Sequence, residues 1–203
     1  MNADFWNTRY GEPGFAYGDR PNDYLHSIAA RLAPRSRVLC LAEGEGRNAA
    51  FLASLGHTCI AVDQSIVGLQ KAQALAARHG ATIEIIEADL GAWTPAPASF
   101  DAFISIFAHL PPGPRAHMHA AAAAALRPGG IAIVELYTPR QLAFNTGGPR
   151  DAAMLVEPAA LRAELASLTI EHLAEVERDV HEGKYHNGRA AVVQALAVAA
   201  AQA

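Results

Sequence analysis

Two glycines and one acidic residue form the first chemically informative pattern in this 203-residue sequence. Gly44 and Gly46 follow a buried apolar run in the form G-x-G-x-x-A, and Asp63 ends the next apolar run. Backbone N–H groups at a helix start can hold a pyrophosphate or a carboxylate, and the Asp63 carboxylate can accept hydrogen bonds from both hydroxyls of a ribose. The pattern predicts a nucleoside-containing ligand, either a nicotinamide dinucleotide or S-adenosylmethionine. A tight turn with nothing bound is the plain alternative.

Other polar residues stand where later apolar runs end. Asp89, in the segment EADL, closes the third run, where its carboxylate can accept a hydrogen bond from an adenine amino group. His109 follows the fourth run, where a histidine can act as a base or orient an acceptor, although a histidine before two prolines is often a turn residue. His186 and Arg189 lie in a predicted hairpin loop, YHNGR, and form a second candidate pair, with an exposed polar turn as the alternative.

The periodicity of the apolar residues predicts the elements that position these side chains. Apolar runs alternate with helical segments from residue 36 onward, which predicts a parallel sheet with helices on both faces. Ligands of such sheets bind outside the carboxyl ends of the strands. The predicted strands are Ser36–Ala42, Thr58–Val62, Thr82–Ala88, Phe100–Ile106 and Gly130–Tyr137, then an antiparallel hairpin of Thr169–Val180 and Gly188–Ala199 with turn signals at Gly183 and Asn187-Gly188. The predicted helices are Asn48–Leu55, Ser65–His79, Pro112–Leu126 and Pro158–Ala166.

The order and spacing of five segments carry a family resemblance. GEGRNA, VDQS, EADL, FDAFISIFAHLPP and LRPGG, followed by a terminal hairpin, resemble the class I S-adenosylmethionine-dependent methyltransferases over nearly the whole chain. The branch that the chain resembles most is that of the small tellurite-resistance and thiopurine methyltransferases. The resemblance implies a doubly wound, Rossmann-like α/β sheet of seven strands and S-adenosylmethionine as the cofactor. It also implies methyl transfer to a small-molecule acceptor, such as a thiol or a selenium or tellurium species.

The resemblance assigns residues to the cofactor and to the acceptor. His109 is placed beside the methyl group, and His186 and Arg189 are placed on the acceptor side, so these three are the candidate catalytic residues. The implied cofactor-binding residues are Tyr17, Glu43, Gly44, Glu45, Gly46, Asn48, Asp63, Gln64, Ser65, Asp89, Leu90, Ile106 and His109.

The first motif departs from the family pattern at two positions. Cys40 stands where the family usually has an acidic residue, and Ala42 stands at the first glycine position. Either Glu43 or Glu45 is then expected to supply the carboxylate for the amino group of the cofactor.

The chain is predicted to form one domain, residues 1–203, in which residues 36–137 bind the cofactor. Residues 1–35 hold six of the fourteen aromatic residues, and electron-rich rings can stabilise a sulfonium. In the family that the chain resembles, this segment folds over the cofactor as a lid. A helix that packs its rings onto the sheet is the alternative, and both can hold. Residues 138–203 are predicted to form an acceptor-side loop, a helix and the hairpin.

Composition and charge argue against several classes of partner. A net charge of −4 without a run of Lys or Arg argues against nucleic acid, and no apolar run is suited to span a membrane. The first residues have neither the basic start nor the apolar stretch of a signal peptide, so a cytoplasmic location is expected. No metal is predicted, because His117 and His119 point to different faces of their helix. A monomer or a homodimer is expected.

Two other functions remain open on the sequence. A nicotinamide-dependent oxidoreductase shares the glycine turn and Asp63, but the chain has no recognisable Tyr-x-x-x-Lys motif and no second domain. A non-catalytic module that binds S-adenosylmethionine is compatible with the replacements at Cys40 and Ala42.

Overall fold

The computed structural model describes residues 2–201, which form a seven-stranded sheet with helices packed on both faces. The strands are β1 (Arg37–Leu41), β2 (Thr58–Asp63), β3 (Glu84–Glu87), β4 (Phe100–Ile106), β5 (Leu126–Tyr137), β6 (Thr169–Glu182) and β7 (His186–Val198). The helices are α1 (Ala3–Tyr10), α2 (Asp23–Ile28), α3 (Arg47–Ser54), α4 (Ile66–Arg78), α5 (Pro112–Ala124) and α6 (Pro158–Glu164). Short 3₁₀ turns span Ala29–Arg31, Pro139–Ala143 and Ala152–Met154.

The strand order is β3-β2-β1-β4-β5-β7-β6, which confirms the predicted doubly wound sheet. The first five strands are parallel, and β7 pairs antiparallel with both β5 and β6. β1 is an interior strand, with Val38 opposite Cys59 of β2 on one side and Ala102 of β4 on the other. The chain therefore reverses its winding direction between β1 and β4. A crevice at the carboxyl ends of these strands is the usual ligand site of this architecture.

Alternation along β1 divides the core into two layers. Val38 and Cys40 pack in the layer that contains α3 and α4, whereas Leu39 and Leu41 pack in the layer that contains α5 and α6. This is the period-two alternation of a strand that is covered on both faces. Because all four side chains are at most 2% exposed, β1 is fixed in position, and the loop that follows it is held rigidly above the sheet.

The terminal hairpin is confirmed, but its turn is shorter than predicted and contains only one of the two predicted turn signals. Glu182 of β6 is already opposite His186 of β7, so only residues 183–185 connect the strands. Gly183 has φ +73° and supplies the left-handed residue that the turn requires. Asn187 and Gly188 therefore belong to β7 and do not form the turn. His186 is likewise a strand residue, 7% exposed, and not part of an exposed loop.

Other boundaries differ from the prediction by a few residues. β5 begins at Leu126, four residues before the predicted start at Gly130, and its residues 127–129 are exposed. β3 covers only Glu84–Glu87, because its ladder with β2 runs from Ile60 to Asp63 and offers no partner to residues before Glu84. These shifts change neither the order of the elements nor the positions of the strand ends.

A buried polar cluster joins β4, α5 and α6. The hydroxyl of Ser105 lies 3.0 Å from His119 Nε2, and His119 Nδ1 lies 2.7 Å from Glu164 Oε2. Arg115 also pairs with Glu164, at 2.9 Å. Ser105 and His119 are fully buried, so no substrate reaches this serine, and the cluster has the geometry of a structural tie.

Replacing Glu164 by glutamine is expected to reduce the free energy of unfolding by about 1–3 kcal/mol at pH 7. Burial opposes ionisation of Glu164, but hydrogen bonds from His119 and Arg115 outweigh it and hold its pKa below the usual value. Because the pKa is lowered by folding, this stabilisation is present above the unfolded pKa and is lost as the pH falls through the folded value. Urea unfolding at several pH values should show the difference between wild type and E164Q shrinking in acid. The exposed Glu157 gives the control, E157Q, and equal effects of both variants would contradict the role of the cluster.

A second buried network ties the N-terminal segment to the sheet. Glu135 of β5 is fully buried, and its carboxylate accepts hydrogen bonds from Arg178 Nη2 (2.5 Å), Gln194 Nε2 (2.6 Å) and Asn22 Nδ2 (2.7 Å). Asn22 also caps α2, since its side-chain oxygen accepts from Leu25 N. The residues just before α2 are thus fixed to β5, β6 and β7.

Candidate active site

A cavity of about 490 Å³ opens at the carboxyl ends of the parallel strands. The loops after β1, β2, β3 and β4 form its floor, and α1, the Tyr17-Gly18 pair, Met154 and the hairpin residues Tyr185 and His186 complete its walls. The structure brings the following predicted site residues to its lining: Tyr17, Glu43, Glu45, Gly46, Asn48, Asp63, Gln64, Asp89, Leu90, Ile106, His109 and His186.

Three predicted site residues do not line the cavity. Gly44 lies beneath it, where its N–H donates to Asp63 Oδ2. Ser65 is the N-cap of α4, with its hydroxyl oxygen accepting from Gly68 N and its hydroxyl donating to Asn7 Oδ1. Arg189 points to the surface of β7 and pairs with Glu177 at 3.1 Å. The structure therefore does not bring Arg189 to the cavity. Its side chain is exposed on β7, whereas His186 lines the cavity.

The two glycines of the turn are required by packing. Gly46 has φ +86°, and a Cβ atom there would lie 2.3 Å from the Cβ of Ala72 on α4. Gly44 has φ +56°, and a Cβ atom there would lie 2.6 Å from the hydroxyl of Tyr10. The turn is thus enclosed by α4 on one side and by α1 on the other, and the backbone after β1 approaches the cavity closely.

Asp63, at the end of β2, is the best-oriented carboxylate of the cavity. Its Oδ2 accepts from Gly44 N at 2.9 Å, and its Oδ1 accepts from Ser65 N at 2.9 Å. Burial raises the pKa of Asp63 to about 6, against the opposing effect of these backbone hydrogen bonds. Each oxygen keeps a further lone pair, so the carboxylate can still accept hydrogen bonds from a diol.

Glu43 and Glu45 differ in their hydrogen bonding. Both oxygens of Glu45 are taken, since Oε2 accepts from Ala16 N at 2.7 Å and Oε1 pairs with Lys71 Nζ at 2.9 Å. Glu43 uses only Oε1, which accepts from Asn48 N and Ala49 N at the start of α3. Glu45 therefore anchors the N-terminal segment, whereas Glu43 keeps an oxygen free beside the cavity.

His109 is held by the backbone through both ring nitrogens. Nδ1 lies 3.0 Å from the carbonyl oxygen of Met154, and Nε2 accepts from Tyr137 N at 3.3 Å. Burial lowers the pKa of His109 to about 3, so the ring is neutral with its proton on Nδ1. The sequence predicted a base or an orienting group. The observed bonds favour the second, because neither nitrogen is left to accept a proton.

His186 is surrounded by aromatic rings and has a free nitrogen. Its ring centroid lies 4.5 Å from Tyr17, 4.8 Å from Phe107 and 5.2 Å from Tyr137. Nδ1 is buried without a hydrogen bond and lies 3.9 Å from Glu182 Oε2. Nε2 has no hydrogen-bond partner among residues 2–201, and the residue lines the cavity. His186 is thus the histidine that can exchange a proton with a bound molecule.

The charges behind His186 determine its ionisation. Glu182 accepts a hydrogen bond from Arg47 Nη2 at 2.6 Å and one from Arg178 Nη2 at 3.2 Å. Although burial would raise it, the pKa of Glu182 is held well below its usual value by the Arg47 charge and these bonds. Burial lowers the pKa of His186 more than the Glu182 carboxylate raises it. The imidazole is therefore neutral at neutral pH, next to a fixed negative charge.

Some lining residues were not predicted from the sequence. Arg9 lies on α1, donates to the Tyr17 hydroxyl at 2.9 Å and stands over the Tyr185 ring at 4.4 Å. The helical spacing of Arg9 with Phe5 and Trp6 was a usable signal, because residues three and four apart share a helix face. Arg47 and Met154 gave no such signal, since their contacts are with Glu182 and His109 on distant segments.

Two further observations concern residues 2–201 as a whole. No three His, Cys, Asp or Glu side chains in this range are grouped as ligands for a metal ion. No helix in this range combines the length and the apolar character needed to cross a membrane.

The strand order is that of the Rossmann-like α/β fold, which solved S-adenosylmethionine-dependent methyltransferases also have. Residues 38–130 match the protein-family model described as "Methyltransferase domain". The domain and the fold together indicate S-adenosylmethionine as the cofactor. No match was found among curated proteins.

Solved structures show the same fold at low sequence identity. A protein described for the conversion of a disulfide bond into a thioacetal group during echinomycin biosynthesis has a TM-score of 0.77 and 16% identity, over 99% of this chain and 93% of that one. A SAM-dependent methyltransferase of Methanosarcina mazei has a TM-score of 0.71 and 15% identity, over 90% and 100% of the two chains. TehB of Haemophilus influenzae has a TM-score of 0.67 and 16% identity, over 97% of this chain and 66% of that one.

Proposed function

We propose that this protein transfers a methyl group from S-adenosylmethionine to a small-molecule acceptor. The observation that carries the proposal is that Asp63, at a strand end above the glycine turn, and His186, with a free ring nitrogen, line the same cavity. One group suits the nucleoside of a methyl donor, and the other suits the proton of an acceptor. Because both residues line one cavity, a methyl-transfer reaction is favoured over the binding of a nucleoside without a reaction.

The chain's own residues fit the cofactor. Asp63 is proposed to hold the ribose hydroxyls, and Asp89, whose Oδ1 already accepts from Gly91 N, is proposed to hold the adenine amino group through its other oxygen. Trp6 and Tyr10 are stacked at 5.5 Å and, with Tyr17, place electron-rich faces at the cavity. Such faces favour a cationic sulfur. When bound, S-adenosylmethionine supplies an electrophilic methyl group.

His186 is proposed to take the proton of the acceptor at Nε2. Glu182 lies on the Nδ1 side of the ring, so the negative charge favours the tautomer with hydrogen on Nδ1 and a lone pair on Nε2. The same charge stabilises the imidazolium that forms when the proton arrives. His109 is proposed to act through its bonds to Met154 and Tyr137, as a positioning residue that keeps the wall opposite His186 in place.

The acceptor is proposed to be a small molecule whose reactive end lies among aromatic rings. The rings of Tyr17, Phe107 and Tyr137 lie against His186, with centroids 4.5–5.2 Å from its own. Such a wall suits a soft nucleophile or an aromatic ring, and the resemblance to the tellurite-resistance and thiopurine branch points to thiol, selenium and tellurium acceptors. A thiol or heterocyclic N–H also carries a proton that a neutral histidine can accept.

Replacing His186 by alanine is expected to lower turnover roughly 100- to 10,000-fold while changing the affinity for S-adenosylhomocysteine little. In the wild type, the rate should fall as the pH drops through the pKa of His186, which lies below 6.5, because only the neutral ring accepts a proton. Steady-state kinetics and calorimetry on the same preparation measure both effects. His181, an exposed histidine of the same hairpin, gives the matched control H181A. Equal turnover by H186A and H181A would refute the assignment.

Three measurements distinguish this function from the alternatives. Thermal stabilisation by S-adenosylhomocysteine but not by NAD would support a methyltransferase over an oxidoreductase. Turnover of a labelled methyl donor against thiols, selenite, tellurite and thiopurines would then identify the acceptor class. The absence of binding heat with S-adenosylhomocysteine at high protein concentration would refute the proposed cofactor. Binding without turnover over a broad panel would favour the non-catalytic module.

A further inference from the structure

The acid that meets the amino group of the cofactor is not at its usual place in this chain. The family position is filled by Cys40, whose side chain is fully buried in the layer of α3 and α4 and does not line the cavity. The four acids that do line the cavity are Glu43, Glu45, Asp63 and Asp89. Only one of them combines a free oxygen with a position beside the glycine turn.

We infer that Glu43 Oε2 accepts the ammonium group at the amino-acid end of the cofactor, in place of the missing acid at Cys40. This inference rests on the proposed function and goes beyond it by assigning one of two candidate acids. Glu43 follows β1 directly, and its other oxygen is fixed by Asn48 N at 2.9 Å and Ala49 N at 2.8 Å. The carboxylate is thus oriented before any ligand arrives, and Oε2 has no hydrogen-bond partner among residues 2–201.

The other acids are committed elsewhere. One carboxylate oxygen of Glu45 accepts from Ala16 N and the other pairs with Lys71, and the side chain is only 4% exposed. Asp63 is held by Gly44 N and Ser65 N at the ribose position. Asp89 lies on the far side of Asp63, after β3, at the adenine position. An ammonium group beside the turn therefore finds a free carboxylate oxygen at Glu43.

The electrostatic surroundings of Glu43 support a ligand that carries a positive charge. Burial raises the pKa of Glu43 to about 7, against the hydrogen bonds from Ala49 and Asn48 and the charge of Arg47. The charged and titratable groups that face it are Arg47 from α3, Asp63 from β2 and the Cys40 thiol from β1. A bound ammonium stabilises the ionised carboxylate, so binding near pH 7 should release a proton from Glu43.

The experiment compares two ligands that differ only at the amino-acid end. S-adenosylhomocysteine carries the ammonium group, whereas 5′-methylthioadenosine lacks the whole amino-acid end. Calorimetry should show that Glu43→Gln weakens S-adenosylhomocysteine on the order of 10- to 100-fold and leaves methylthioadenosine unchanged, because a charge-assisted hydrogen bond is lost. Glutamine keeps an oxygen for Asn48 N and Ala49 N. Glu45→Gln is the matched control, and it should change both affinities by the same factor, since it loosens the segment around Ala16.

The possible outcomes separate this inference from the proposed function. The inference is overturned if E43Q leaves the ratio of the two affinities unchanged. It is also overturned if E45Q, and not E43Q, selectively weakens the binding of S-adenosylhomocysteine. If the wild type binds neither ligand, the proposed function itself fails. If the E43Q variant does not fold, a measurement on the wild type still tests the inference. Calorimetry at pH 7 in two buffers of different ionisation enthalpy should show more proton release with S-adenosylhomocysteine than with methylthioadenosine, and equal release with both ligands would contradict the assignment.

Discussion

Replacing Glu135 by alanine is expected to destabilise the protein by about 3–5 kcal/mol. Glu135 is fully buried and is the nearest acceptor for the Arg178 guanidinium, the Gln194 amide and the Asn22 amide. Without it, three donors lose a partner, and Arg178 keeps longer contacts, of 3.2 Å, with Glu182, Asp23 and the carbonyl oxygen of Asp179. Breaking a buried pair by removing one partner costs more than the pair contributes, because a charge is left in a poorly solvated place.

Urea unfolding at pH 7 measures the effect, with fluorescence of the two tryptophans as one probe and circular dichroism as the other. Glu171, paired with Arg31 on the surface with both side chains more than 40% exposed, gives the control E171A. That variant should lose less than about 1 kcal/mol, as exposed ion pairs do. A loss in E135A as small as that in E171A would show that the buried network is not a major source of stability.

Replacing Asp63 by alanine is expected to weaken the binding of S-adenosylhomocysteine at least about 100-fold. Two hydrogen bonds between a carboxylate and ribose hydroxyls are lost, and each such bond to a charged group is worth about 1.5–3 kcal/mol. The Gly44 and Ser65 amides also lose their acceptor, so the turn after β1 is less well fixed. The wild type should bind more weakly as the pH falls through about 6, where the Asp63 carboxylate takes up a proton.

Calorimetry on D63A and on D63N separates the loss of the ribose hydrogen bonds from the loosening of the turn, because asparagine keeps one oxygen for a backbone amide. Asp101 is the matched control, since it lies at the opposite end of the sheet and binds Arg37 N and Arg127. D101A should bind S-adenosylhomocysteine as the wild type does. An affinity of D63A within a few-fold of wild type would mean that the ribose lies elsewhere in the cavity.

Local patterns in the sequence were sufficient to predict the sheet and the floor of the cavity. The alternation of strands and helices fixes the winding, and residues at strand ends must then meet at one edge. Asp63 and Asp89 were predicted correctly as cavity residues for this reason. Ser65 caps α4 instead of lining the cavity, although a serine directly before a helix is a common N-cap.

Contacts between distant segments could not be predicted in this way. His186 was predicted in a hairpin loop, because Asn187-Gly188 is a strong turn signal, but the strands are connected by residues 183–185 and His186 is a buried strand residue. The low pKa of Glu182 depends on Arg47, which is 135 residues away in the sequence. The hydrogen bonds of His109 depend on a carbonyl at Met154. Side-chain partners of this kind are set by tertiary packing and have no local signature.

The aromatic rings at the start of the chain lie in two places. Phe5, Trp6, Tyr10 and Tyr17 line the cavity, whereas Phe15 and Tyr24 pack against the core. All three aromatic residues of α1 are thus at the cavity, and the rings on the core come from later residues. Whether this segment opens and closes as a lid is still a prediction.

The turn between β6 and β7 has a consequence for how the protein is made. Lys184 N donates to the carbonyl of Ala16, and a Cβ atom at Gly183 would lie 2.4 Å from Gly18 N, so the early segment is docked on the late hairpin. On the ribosome, residues 2–20 emerge long before residues 183–186 exist. Folding that proceeds during synthesis can build the first five strands, but the pocket is finished only after the hairpin has left the exit tunnel. Nascent chains stalled before β6 should therefore be unable to retain the cofactor.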